Sequence, residues 1–174
     1  MTTPIDAQTD PLTESFQQYH RDLILLLCDH IKTTPPFNVV SNIEQDTDNE
    51  ADAQSEERVK QDSINSGDDA ELQELMLEKV QILENPDSSH QDLAEAGQWL
   101  ISTIISAFPH ITPYVSRNLY WYFGGDCMHF LGDEEIARFQ AIDEAMYLAR
   151  QADIGPKRYE HILHQIAGES HNMH

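Results

Sequence analysis

TPYVSRNLYWYFGGDCMHFLGDEEI, residues 112–136, is the stretch that decides how the rest of the chain is read. Its first half carries one charge, Arg117, beside the rings of Tyr120, Trp121, Tyr122 and Phe123. Placed at about 100° per residue, Val115, Leu119, Tyr122 and Phe123 share a face, whereas Tyr120 and Trp121 project from others. A helix that is apolar nearly all round needs cover on several sides, from its own core or from a second copy of the chain. The pattern predicts a helix from Thr112-Pro113 to Phe123, stopped by Gly124-Gly125. Tyr120 and Trp121 become candidate binding residues, with Trp121 on the face of a homodimer.

Both flanks also read as helical. Downstream, Gly132-Asp133 opens a helix with Asp133, Glu134 and Glu135 in its first turn, where the helix dipole favours acids. Its stripe is Ile136, Phe139, Ile142, Met146 and Ala149. After Gly155-Pro156, a short last helix carries Tyr159, Ile162, Leu163 and Ile166, leaving His161 and His164 on its solvent face. Upstream, Ser88 with Gln91 reads as a capping-box start for a helix whose inner face is Leu93, Gly97, Leu100, Ile104 and Phe108. Before it, Leu72, Leu75, Met76, Val80 and Leu83 line a helix that ends at Asn85-Pro86. Asp10-Pro11 starts the first helix, with a stripe of Leu12, Phe16, Tyr19, Leu23 and Leu26, Leu27 and Ile31 alongside, to about Lys32. No segment alternates with period two. The expected fold is all-α, an irregular bundle of five main helices plus a short C-terminal one, in a single domain over residues 1–174.

Residues 38–67 differ in character. Carboxylates crowd VSNIEQDTDNEADAQSEERVKQDSINSGDD, and large apolar residues are few. Such a segment buries too little surface to offset its ordering entropy, so an acidic, flexible low-complexity linker is expected within the domain.

The charge limits the partners. With 31 acids against 10 Lys and Arg, the formal net charge is −21. That field repels phosphate backbones and anionic lipid surfaces, so neither nucleic acid nor membrane is expected as a partner. A basic protein fits the field better. The apolar run from Leu23 to Cys28 is far too short to span a bilayer, and the first residues have no positive region of the secretory kind. Cys28 and Cys127 form no CxxC pattern and are expected as reduced thiols in a cytoplasmic protein.

The second half of the opening stretch concentrates the reactive side chains. Asp126, Cys127, His129, Asp133, Glu134 and Glu135 follow the glycine pair within ten residues. A cysteine nucleophile needs an adjacent base, and Cys127 and His129 are spaced so that neither helix nor strand brings them together. A metal needs converging ligands, and Asp126, His129 and Asp133 converge only if the turn folds back. These three join Tyr120 and Trp121 as candidate binding residues, with no metal or other cofactor implied. P-loop, GxGxxG, HExxH, GxSxG and zinc-ribbon spacings are absent from the sequence. The stretch RNLYWYFGGDCMHFLGDEEIARFQ, residues 117–140, resembles a small family of acidic helical bacterial proteins without known activity. The resemblance covers roughly residues 90–150, implies a helical fold, and transfers no functional residue. The reading that follows is a non-enzymatic accessory or regulatory interaction module, homo-oligomeric, with an acidic face for its partner. An enzyme or metal-binding protein centred on residues 124–135 is the alternative, and an acidic DNA mimic the third.

Overall fold

The computed structural model describes residues 10–40, 66–152 and 158–171. Among these the fold is all-α, with seven helices and no strand. They are α1 (Pro11–Thr33), α2 (Phe37–Val40), α3 (Ser66–Glu84), α4 (His90–Ala107), α5 (Arg117–Phe123), α6 (Asp133–Ala152) and α7 (Tyr159–His171). The six expected helices are all present, and the four-residue α2 is the addition. The acidic linker expected over residues 38–67 lies, for residues 41–65, outside the described residues. No helix among the described residues is long and apolar enough to cross a membrane.

Short polar contacts set the helix ends. Asp10 accepts from the backbone N–H groups of Leu12 (3.1 Å) and Thr13 (3.2 Å), capping α1. The cap of α4 is one residue later than the expected Ser88: the Ser89 hydroxyl accepts from Asp92 N–H at 3.1 Å and donates to the Asp92 carboxylate at 2.7 Å. Ser88 instead donates to the Ile82 carbonyl at 2.7 Å, closing the turn after α3. A second correction concerns α5. Residues Thr112–Tyr114 form a separate 3-10 turn, and Val115 is extended (φ −79°, ψ 109°), so α5 starts only at Arg117, behind its N-cap Ser116. The hydrogen bonds from Tyr114 N–H to Ile111 and from Val115 N–H to Thr112 have three-residue spacing, which does not feed an α-helix.

The chain divides into two compact units, one from residues 1–24 with 116–174 and the other from 25–115. The first is built on Leu119, Tyr120 and Phe123 of α5, Phe139, Ile142 and Met146 of α6, and Tyr159 and Ile162 of α7, all buried. The second is built on Met76, Val80 and Leu83 of α3 and Leu100, Ile101 and Ile104 of α4, with Ile31, Phe37 and Ile111. Each such side chain contributes roughly 1.5–3 kcal/mol by leaving water.

In α1 the buried positions are Leu12, His20, Ile24, Leu27, Cys28 and Ile31, while Leu26 is 66 % exposed. The expected stripe through Leu23 and Leu26 is therefore rotated. Five consecutive apolar residues, Leu23 to Leu27, give no polar contrast from which a helix phase can be read. The four-residue spacing of Leu12, Phe16, His20 and Ile24 marks the inner face instead.

Candidate functional site

The expected site at the glycine turn is structurally ordered and chemically dispersed. Gly124 and Gly125 both take positive φ (64° and 56°), the conformation that favours glycine, and a 3-10 turn over Gly125–Phe130 follows. Asp126, His129 and Asp133 are all exposed. Among the described residues no three His, Cys, Asp or Glu side chains are grouped to hold a metal ion. Cys127 is fully buried, and burial, with Asp126 adding to it, pushes its thiol up to about 11. It stays protonated near neutrality and offers no thiolate nucleophile.

The acid with a defined role in this segment is Glu135. Its carboxylate receives Arg117 Nε at 2.7 Å and Arg117 Nη2 at 2.7 Å, and the Gly132 N–H donates to it at 3.0 Å. Arg117 Nη2 also donates to the Phe130 carbonyl at 2.6 Å. These contacts hold Glu135 down to about 2, with the Arg117 hydrogen bonds the largest cause. They pin the glycine turn between α5 and α6.

Tyr120, expected to project from the α5 face, is 1 % exposed. The Arg117 guanidinium lies 4.5 Å from its ring centre, and Phe130 meets its edge at 6.3 Å. Trp121 is half-buried, stacked on Phe139 (5.3 Å, 13°), and its indole N–H donates to Asp143 at 3.2 Å. Both rings thus find cover within their own unit.

Convergence occurs elsewhere in that unit. A half-open cleft of about 330 Å³ is lined by Tyr19 of α1, Asn118 of α5, Arg138 and Ile142 of α6, and Glu160, Leu163, His164 and Ala167 of α7. Asn118 Nδ2 donates to the Tyr19 hydroxyl at 3.4 Å, and Ser15 donates to Glu160 at 3.3 Å. Burial pushes the Tyr19 hydroxyl up, with Glu160 adding to the shift and Arg138 opposing it.

Next to Tyr19 lies the one polar side chain among the described residues that counts as buried, His20, at 1 % exposure. Its ring stacks on Tyr122 (4.5 Å, 13°) and touches Phe16 (4.3 Å), Tyr19 (5.3 Å) and Tyr159 (5.3 Å). Its Nδ1 lies 2.8 Å from the Phe16 carbonyl, which can only accept, so Nδ1 carries the proton. Burial lowers the His20 pKa to about 4, against that hydrogen bond. The second unit has its own cleft, about 280 Å³, lined by Trp99, Asp92, Glu95, Lys79, Ile82 and Ala96.

The cleft of Tyr19, Asn118, Arg138 and Glu160 was not legible as a site. Its members lie up to 141 positions apart (160 − 19) on four helices and form no motif. His20 did leave a signal, the four-residue spacing with Phe16 and Ile24.

Fold and site together define an all-α protein that carries small polar clefts and shows no assembled catalytic group among its described residues. The chain belongs to the PA2817-like family, which it matches over residues 39–169. The resemblance expected over residues 90–150 falls inside that match, and no activity is attached to the family. No curated protein and no solved structure matches the chain.

Proposed function

We propose that the protein is a non-enzymatic accessory module of the cytoplasm that docks a basic protein partner. The observation that carries this reading is the exposure of apolar residues that neighbour each other in sequence, one such pair in each unit. Leu25 and Leu26 on α1 are 38 % and 66 % exposed, and Tyr147 and Leu148 on α6 are 58 % and 55 % exposed. Single exposed apolar residues are ordinary, whereas neighbouring ones framed by charge are candidates for a contact surface. Asp29 lies one turn after the first pair and Glu144 one turn before the second, both exposed. An apolar contact inside an acidic frame suits a partner with an apolar hollow rimmed by Lys and Arg, and the net charge of −21 steers such a partner in.

The test is affinity capture from cell extract by the intact chain, eluted by salt, beside Leu26→Glu and Leu148→Glu. A basic protein retained by the wild type and lost from at least one variant, at unchanged melting temperature, supports the reading. Equal capture by all three chains removes it. Sedimentation across a dilution series separates the homodimer: self-association lost in either variant would make a second copy the occupant.

A further inference from the structure

We propose that the cleft beside Tyr19 binds a small zwitterion with an apolar body, of the α-amino-acid class, its carboxylate on Arg138 and its ammonium on Glu160. This goes beyond the docking reading and does not depend on it.

The cleft holds two opposite charges that do not neutralise each other. Arg138 and Glu160 both line it, and no ion pair joins them. Among the described residues Arg138 makes no hydrogen bond and no close ion pair: its guanidinium rests 5.1 Å from the centre of the Phe139 ring, and Glu135, one turn before it, feels its charge but is bound by Arg117. Because the Glu135 carboxylate is already taken by Arg117, the Arg138 guanidinium on the cleft wall keeps its hydrogen-bonding capacity for an anion from outside. Glu160 engages one oxygen only: Oε2 takes the Ser15 hydroxyl at 3.3 Å and lies 3.9 Å from Arg158 Nε. Its Oε1 has no hydrogen bond among the described residues.

Between the two charges sit neutral groups with capacity to spare. Asn118 Nδ2 makes two long hydrogen bonds, both 3.4 Å, to the Tyr19 hydroxyl and to Ser116 Oγ. That amide can shorten a contact to a carboxylate, and the Tyr19 hydroxyl can accept from an ammonium. Tyr19 lines the cleft with both charged residues, and its hydroxyl feels Glu160 and Arg138 in opposite directions. Ile142 and Leu163 supply an apolar wall. About 330 Å³ is at the small end of ligand clefts and is enough for an amino acid. A simple carboxylate would leave the second oxygen of Glu160 unmatched, and a simple amine would leave the Arg138 guanidinium so. Only a ligand carrying both charges answers both walls.

The test is titration calorimetry of the full chain with L-leucine, L-methionine and L-phenylalanine, each beside its decarboxylated amine and its deaminated acid. At least one amino acid is expected to bind, with its two analogues weaker by about tenfold or more. Arg138→Met and Glu160→Gln should each lower that affinity by about tenfold or more, while Arg138→Lys, which keeps the charge and loses the guanidinium fork, falls between Arg138→Met and the wild type. Melting temperatures show whether each variant is folded. No heat from any of the three amino acids overturns the proposal. So do analogues that bind as well as the amino acid, or binding that survives Arg138→Met unchanged.

Discussion

The glycine turn at residues 124–135 and the cleft beside Tyr19 draw on the same kinds of side chain: carboxylates, a histidine and an arginine close by. In the turn, Asp126, His129 and Asp133 face water, and the arginine, Arg117, is already bound by Glu135 and the Phe130 carbonyl. In the cleft, four helices bring Tyr19, Asn118, Arg138 and Glu160 together, and Arg138 makes no hydrogen bond there among the described residues. Density of reactive residues along the chain thus marks a structural clasp, while sparse residues far apart in sequence make the concave site. A ligand site needs convergence with unspent hydrogen-bonding capacity, and neither property is visible along a one-dimensional stretch.

The largest effect that can break this contrast is at Tyr120. If the turn is a clasp, the ring that lies under Arg117 and meets Phe130 is core, and Tyr120→Ala should cost roughly 3–5 kcal/mol in urea unfolding, independent of protein concentration. Asp126→Ala and His129→Ala should stay within about 0.5 kcal/mol, as exposed positions without partners usually do. A stable Tyr120→Ala that had lost an assembly would restore Tyr120 as an interface residue.

The helices themselves were largely written in the sequence, because caps, prolines and three-to-four-residue stripes are local signals. Asp10-Pro11, Asn85-Pro86, Gly124-Gly125 and the acids after Gly132 each mark an end found in the structure. Misreadings came where local signals tie. Ser88 and Ser89 are equal candidates for a cap, and only the contact with Ile82 decides between them. The leucine run of α1 carries no phase of its own. That Ile24 and Leu27 face inward and Leu26 outward is a tertiary fact that no local signal within the run carries.

The histidine sharpens the comparison from the other side, since it packs against Tyr19 of the cleft wall. Its pKa falls from an ordinary 6.5 to about 4 in the folded chain, so the unfolded chain takes up the proton first. The stabilising contribution is complete above about pH 6.5 and is lost as pH falls towards 4, amounting to about 3 kcal/mol at most. Carboxylates also titrate in that window, so the measurement is a difference: urea unfolding of wild type and His20→Phe near pH 7 and near pH 5. The wild type should lose stability on acidification by at least about 1 kcal/mol more than the variant. Parallel losses would mean that His20 is protonated as readily in the fold as out of it, and that the aromatic packing does not exclude the charge.

The smallest effect belongs to Glu135, the one acid of the turn whose carboxylate has several partners. Both oxygens meet Arg117, and one also accepts from Gly132, so Glu135 ties the end of the glycine turn to the starts of α5 and α6. The pair is partly open to water, with side chains 41 % and 32 % exposed, so solvent screening removes much of its Coulomb energy. Glu135→Gln should therefore cost only about 1 kcal/mol, despite a carboxyl held at about 2. Because the folded pKa lies below the ordinary 4.5, this contribution is present above that value and fades as the pH drops through about 2. Asp133→Asn, which removes only a first-turn charge from α6, should cost a few tenths of a kcal/mol. If the two substitutions prove equal near neutral pH, the Arg117–Glu135 contact is not what holds the turn, and the buried side chains of Tyr120 and Cys127 fix its shape alone. If Glu135→Gln costs well beyond about 2 kcal/mol, the contact is shielded from water more than its exposure implies.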